Sequence, residues 1–186
     1  MSNISVALIH YPITDRAGNI VTTSVTTIDL HDIARLAKTY DLDRFFVVTP
    51  NQTQKRLVQR LIGHWMDGYG AKYNPSRKVA LELLNVVDSV EEIYDIYKIE
   101  GKTKPSTFVT SAKDDRDTLS FSRARIELAT NLESLVMFGT GYGLARNLVE
   151  SADFRLAPIA GIKDYNHLSV RVAAAILLDR LLGDFE

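Results

Sequence analysis

Leu135-Val-Met-Phe-Gly-Thr-Gly-Tyr-Gly-Leu144 decides the reading of this chain: a buried strand runs directly into three alternating glycines and then into a short helix. Glycine adopts positive φ and lets another molecule approach the backbone closely. At the carboxyl end of a strand, such a turn leaves N–H groups facing a crevice, which is where open α/β sheets bind ligands. The same spacing also suits a plain tight turn. It is not a dinucleotide fingerprint, which needs glycine where Leu144 stands, and it lies too late in the chain for a second mononucleotide half. Nor is it a P-loop, because no lysine follows Gly143.

Outward from this segment, strands and helices alternate. Residues 4–9, 44–49, 85–87, 107–111, 135–138 and 154–156 read as short strands, apolar on both faces and rich in β-branched residues. That pattern belongs to a parallel sheet covered by helices on both sides, a three-layer α/β fold. Helices are expected from about Ile28 (capped by Thr27), from Asn51 or Thr53 until Gly68-Tyr-Gly70, over 76–84, from Ser89 with Glu92 three residues on, over 120–128, over 144–150 and over 168–182. Residues 10–27 read as a long polar connection, and long connections in compact domains are often functional.

With 186 residues, 46% of them hydrophobic and 24% charged, one globular domain over 1–186 is expected. The absence of cysteine removes disulfides, thiolate metal sites and cysteine nucleophiles, and fits a cytoplasmic protein; no metal is expected. No apolar run reaches membrane-spanning length, so no membrane partner is expected. A net charge of −1 argues against indiscriminate coating of nucleic acid but leaves local basic patches open.

Two further segments carry chemistry. Leu156-Ala-Pro-Ile-Ala-Gly-Ile-Lys-Asp-Tyr-Asn-His-Leu-Ser169 is a loop ending in a polar cluster that opens an alanine-rich helix. Asn166 or Ser169 suits an N-cap, and His167 alone is more often structural than catalytic. Asp29-Leu-His-Asp-Ile-Ala-Arg-Leu-Ala-Lys-Thr-Tyr40 precedes a strand, and Arg35 there suits a solvated pair with Asp32 three positions earlier.

Taken in order, these three segments resemble the SPOUT superfamily of S-adenosylmethionine-dependent RNA methyltransferases, whose C-terminal halves form a trefoil knot. Asp29 stands where that family's first motif usually has Asn, and Arg35 matches its Arg six residues on. Residues 138–144 are similar to the second motif and residues 159–176 to the third. The resemblance implies a SPOUT-like knot and an adenosine site built from Thr110 and Ser111, from Phe138, Gly139, Thr140, Gly141 and Gly143, and from Ile159, Gly161, His167, Leu168, Ser169 and Val170. Phe138, Leu144, Ile159 and Leu168 would form an apolar rim for adenine. Arg35 matches a position where one branch of the family uses arginine near the methyl group, and Asp164 and His167 are candidate proton acceptors. Methyl transfer depends mainly on in-line positioning, and a base is needed only where the acceptor must lose a proton.

The resemblance also implies a homodimer with a shared active site, for which the C-terminal helix is suited. A tRNA or rRNA partner fits the run between Arg44 and Lys78, where Arg44, Lys55, Arg56, Arg60, Lys72, Arg77 and Lys78 face only Asp67, with Trp65, Tyr69 and Tyr73 interleaved. Acidic residues dominate from Glu82 to Glu100. An ordinary charged helix face explains the same run. The alternative function is a regulatory dimer that binds S-adenosylmethionine or a nucleotide without transferring a methyl group.

Overall fold

The computed structural model describes residues 3–112, 117–163 and 165–184. Six parallel strands form its central sheet: β1 (Ile4–Ile9), β4 (Phe45–Val48), β5 (Leu84–Val87), β6 (Ser106–Val109), β7 (Ser134–Gly139) and β8 (Phe154–Arg155), in the order β5-β4-β1-β7-β6-β8. β1 lies between β4 and β7, with Ile9 in register with Val48 on one side and Gly139 on the other. Because every strand runs the same way, all the carboxyl ends, and the loops that follow them, share one edge.

The strands bury both faces, as an apolar run without alternation requires. Val6, Leu8, Phe45, Val47, Val136 and Phe138 enter one core. Their chain neighbours Ala7, Ile9, Phe46, Val48, Leu135 and Met137 enter the other. The first core is closed by α1 (Thr27–Thr39), α2 (Gln52–Met66), α4 (Pro75–Leu81), α6 (Phe121–Thr130) and α8 (Val170–Leu182). The second is closed by α5 (Val90–Ile99) and the five-residue α7 (Arg146–Glu150). The three-layer arrangement expected from the strand pattern is therefore present.

The helix starts follow local chemistry. Asn51 caps α2 by accepting from the N–H groups of Thr53 and Gln54, and Ser89 caps α5 by accepting from Glu92. Helix α1 starts one residue earlier than the sequence suggested: Thr26, not Thr27, is the cap, and its hydroxyl accepts from the Asp29 N–H. The expected helix over 76–84 ends at Leu81, and Leu84 already belongs to β5. The C-terminal helix begins at Val170, with residue 168 still in the loop.

Two elements have no counterpart in the sequence reading. One is a short helix, α3 (Tyr69–Tyr73), where a break between helices is expected. The other is a small hairpin, β2 (Ile13–Thr14) with β3 (Ile20–Val21), inside the long polar connection. Among the described residues, no helix is long and apolar enough to cross a membrane.

Candidate functional site

The carboxyl edge of β1, β7, β6 and β8 opens into a cleft of about 1640 Å³. That exceeds the roughly 300–1,000 Å³ of an ordinary small-molecule site, so a cofactor-sized ligand would leave space beside it. Three chain segments far apart in sequence line it: Thr110 and Ser111 after β6, residues 138–143 at the end of β7 and in the loop that follows, and Ile159 with residues 167–170 leading into α8. The third loop is tied to the first by the Asn166 side-chain amide, which donates to the Ala112 carbonyl at 3.2 Å. Asn166 is thus a cross-loop strap. The cap position belongs to Ser169, whose side chain makes no capping bond, so the first N–H groups of α8 stay available at the cleft.

The glycine loop is held by the β2–β3 hairpin. Thr14 donates to the Gly143 carbonyl from both its N–H (2.9 Å) and its hydroxyl (3.2 Å), and the Ala145 N–H donates to Pro12. Two glycines have definite reasons. Gly141 has φ +59°, and a Cβ there would meet Thr23 at 3.1 Å. At Gly139 a Cβ would lie 2.9 Å from the backbone nitrogen of Leu144. Phe138 and Leu144 are buried, Ile159 is half-buried and Leu168 is exposed, so the expected apolar rim is deep on the strand side and open on the helix side.

Most of the expected cofactor residues come together. Thr110, Ser111, Phe138, Gly139, Thr140, Gly141, Gly143, Ile159, His167, Leu168, Ser169 and Val170 all line the cleft. Gly161 does not; its role is steric, since a Cβ there would sit 2.7 Å from the Tyr165 carbonyl. His167 is exposed at the cleft and stands edge-on to Tyr165 at 5.3 Å. Asp164 lies outside the described residues.

Arg35 is not brought to this cleft. It is exposed on α1 and lines a separate pocket of about 210 Å³ with Asn74, Ser76 and Arg77. Its expected partner Asp32 instead faces Arg171 of α8 at 3.5 Å. Six residues of helix separate Arg35 from Asp29, about 9 Å along the axis. Asp29 is the motif residue that reaches the cleft. It is buried, accepts from the Thr26 hydroxyl and pairs with Arg171 at 3.1 Å, locking α1 to α8.

Sequence reasoning missed His10, Thr23 and Arg171. His10 follows β1 and lines the cleft while being only 1% exposed. Its Nδ1 lies 2.9 Å from the Thr23 hydroxyl, which in turn meets the Thr140 hydroxyl; Thr140 donates to the Ile9 carbonyl at 3.0 Å. Burial pushes the His10 imidazole down from 6.5 to about 4, against the opposing pull of Asp29, so it is neutral at neutral pH. A single histidine directly after a buried strand, within the polar connection, was the available signal.

The basic run is less uniform than its sequence. Arg44 pairs with Glu100 at 2.7 Å and Lys55 with Asp88 at 2.7 Å, both acids coming from the segment of opposite sign. Arg77 lies over the Trp65 ring at 4.9 Å, and Trp65 packs against the core. Arg56, Arg60, Lys72 and Lys78 have no acidic partner within 4 Å among the described residues. Tyr69 and Tyr73 are about three-quarters exposed and stacked on each other at 5.9 Å.

Comparison with known proteins adds four findings. A family model described as SAM-dependent RNA methyltransferase matches residues 3–183. A protein named tRNA (guanine-N(1)-)-methyltransferase from Nitratidesulfovibrio vulgaris is 44% identical over 184 residues, covering 98% of this chain but 42% of that protein, so the chain spans less than half of that relative. An uncharacterized protein from Aquifex aeolicus is 39% identical over 182 residues, covering 97% of this chain and 89% of its own length. Among solved structures, the TrmH/SpoU tRNA modifying enzyme of A. aeolicus superposes with a TM-score of 0.58 at 16% identity, covering 98% of this chain and 75% of that one, which is a likeness of fold.

Proposed function

The chain belongs to the SAM-dependent RNA methyltransferase family, and we propose that it methylates a tRNA nucleotide from a cofactor held between the three strand-end loops. The convergence of residues 110–111, 138–143, 159 and 166–170 on one cleft carries this reading. The cleft suits the group. A deep apolar wall at Phe138 and Leu144 fits an adenine face, the glycine loop admits close backbone approach, and the N-terminus of α8 offers N–H donors. When bound, S-adenosylmethionine supplies an electrophilic methyl on a sulfonium.

This chain's own residues bind and orient. Asn166 fixes the third loop against the first, the hairpin fixes the glycine loop, and the Asp29–Arg171 pair fixes α8 against α1. Such fixed positioning is the main lever for an in-line displacement. The Asp29 carboxylate accepts from the Thr26 hydroxyl and from Arg171, which makes it a positioning group between α1 and α8. His167, exposed at the cleft, is the proposed acceptor where the nucleotide must lose a proton.

For RNA, the supporting surface is Arg56, Arg60, Lys72 and Lys78 with the Tyr69–Tyr73 stack, and Arg35 adjoins it through Arg77. Arg44 and Lys55, already paired with acids, do not contribute. A homodimer with a shared site would carry Arg35 to the partner's cleft; Ile28, Leu168 and Val172, exposed on or just before α1 and α8, are apolar surface suited to that contact. The knot is supported by the return of α8 to pack on α1 after β8 has joined the sheet edge beside β6.

A tritiated-methyl assay on unmodified tRNA and on rRNA tests the reading. Label in tRNA is expected. Binding of the cofactor without label in either RNA would favour the regulatory dimer.

A further inference from the structure

The wall of the cleft contains a buried polar atom that the chain itself leaves unused: His10 Nε2, which has no hydrogen-bond partner among the described residues. The rest of the ring is committed. Two proton arrangements are open to the chain His10 Nδ1, Thr23 Oγ1, Thr140 Oγ1 and Ile9 O. If Nδ1 carries the ring proton, it donates to Thr23, Thr23 donates to Thr140, and Thr140 donates to the Ile9 carbonyl. Three hydrogen bonds form. If Nε2 carries it, Thr23 must donate to Nδ1, and the single Thr140 proton goes either to Thr23 or to the Ile9 carbonyl. Only two then form, while Nε2 is unsatisfied in both arrangements. The arrangement that makes the third buried bond is favoured, so the first holds. The Nε2 lone pair is therefore buried and unpartnered among the described residues, on a residue that lines the cleft.

We propose that His10 is a recognition residue of this cleft, its Nε2 accepting a hydrogen bond from an N–H or O–H of the molecule bound there. This rests on the methyltransferase reading of the site. Two sources share that chemistry: an amine of the cofactor, and the donor edge of the acceptor nucleotide. Asp29, also at the cleft, already accepts one bond on each carboxylate oxygen, from Thr26 and from Arg171. The link through Thr23 to Thr140 makes the glycine loop itself set the ring's orientation.

The experiment uses the full chain labelled with 15N-histidine, titrated separately with S-adenosylhomocysteine and with unmodified tRNA. In the free protein, His10 is expected as the Nδ1–H tautomer at neutral pH, with its Nε2 resonance moving on addition of one probe. Two variants give an independent reading. His10→Asn keeps an amide near Thr23 and removes the Nε2 acceptor; His10→Gln places an amide oxygen near the Nε2 position. Asn should weaken one probe by about tenfold, the value of one hydrogen bond at its upper end, and Gln should recover part of it. A loss in S-adenosylhomocysteine affinity assigns the donor to the cofactor. A raised KM for tRNA with unchanged S-adenosylhomocysteine affinity assigns it to the nucleotide. An Nε2–H tautomer in the free protein, or an unmoved resonance with both probes bound, overturns the proposal alone. Wild-type protein that binds neither probe overturns the methyltransferase reading, and the proposal with it.

Discussion

Acidification separates a buried neutral histidine from one held as a cation, and His10 makes the difference measurable. Its folded-state pKa is about 4 and its ordinary value 6.5, with desolvation the cause. Between those values the unfolded chain binds a proton that the folded chain refuses, so stability rises with pH across that window. The contribution is complete above 6.5, is lost as pH falls, and stops falling below about 4. At 1.36 kcal/mol per pH unit the full loss is about 3 kcal/mol, and about 2.5 kcal/mol of it is gone by pH 4.5. Urea melts of wild type and His10→Asn from pH 8 to pH 4.5 isolate this effect, because the carboxylates of the rest of the chain titrate alike in both. Wild type should lose about 2.5 kcal/mol more than the variant, a midpoint lower by roughly 1 M urea. Parallel pH profiles would refute the neutral buried ring. A wild type that gains relative stability on acidification would show that His10 is held as a cation, Asp29 prevailing over desolvation.

Other outcomes follow from the same geometry. Gly139→Ala puts a Cβ 2.9 Å from the Leu144 backbone nitrogen, where no flexible atom can yield; a loss of about 1–3 kcal/mol in thermal melting and markedly weaker S-adenosylhomocysteine binding by calorimetry are expected. Arg171→Ala leaves the buried Asp29 carboxylate without its cation and unlocks α8 from α1. Because Arg171 is partly exposed, the cost should be only about 1–2 kcal/mol, read by urea denaturation at pH 7. Tyr69→Ala with Tyr73→Ala should weaken RNA binding by about 1–3 kcal/mol for each base stacked, while Arg60→Ala should lower the salt slope by about 1. Filter binding across a salt series checks both, and a wild-type slope near zero would remove the RNA surface.

The sheet was legible because its central strands are apolar on both faces. Phe45-Phe-Val-Val48 and Leu135-Val-Met-Phe138 feed alternate side chains into two cores, and only a covered parallel sheet accepts that pattern. The glycine loop was legible because Gly139 and Gly141 answer to steric demands that other residues fail. The hairpin was not. Its strands are two residues each, and main-chain bonds such as Thr14 to Gly143 hold it to the loop, which no side-chain pattern reports. His10 and Arg171 were missed for a related reason: their partners lie 13 and 142 residues away, and only the place of His10 directly after a buried strand hints at a role. Arg35 was singled out by its resemblance to the family's first motif, yet a motif fixes a position along a helix and not the cavity it faces. The charge asymmetry of the basic run was also misleading in part, since Glu100 and Asp88 fold back onto Arg44 and Lys55.

The most direct test of the account is a crystal structure of the protein grown with S-adenosylhomocysteine. The account predicts the ligand between residues 110–112, 138–143, 159 and 166–170, with its adenine on the Phe138 and Leu144 side and Asn166 still strapped to Ala112. Ligand density elsewhere, such as in the pocket beside Arg35 and Arg77, would contradict it.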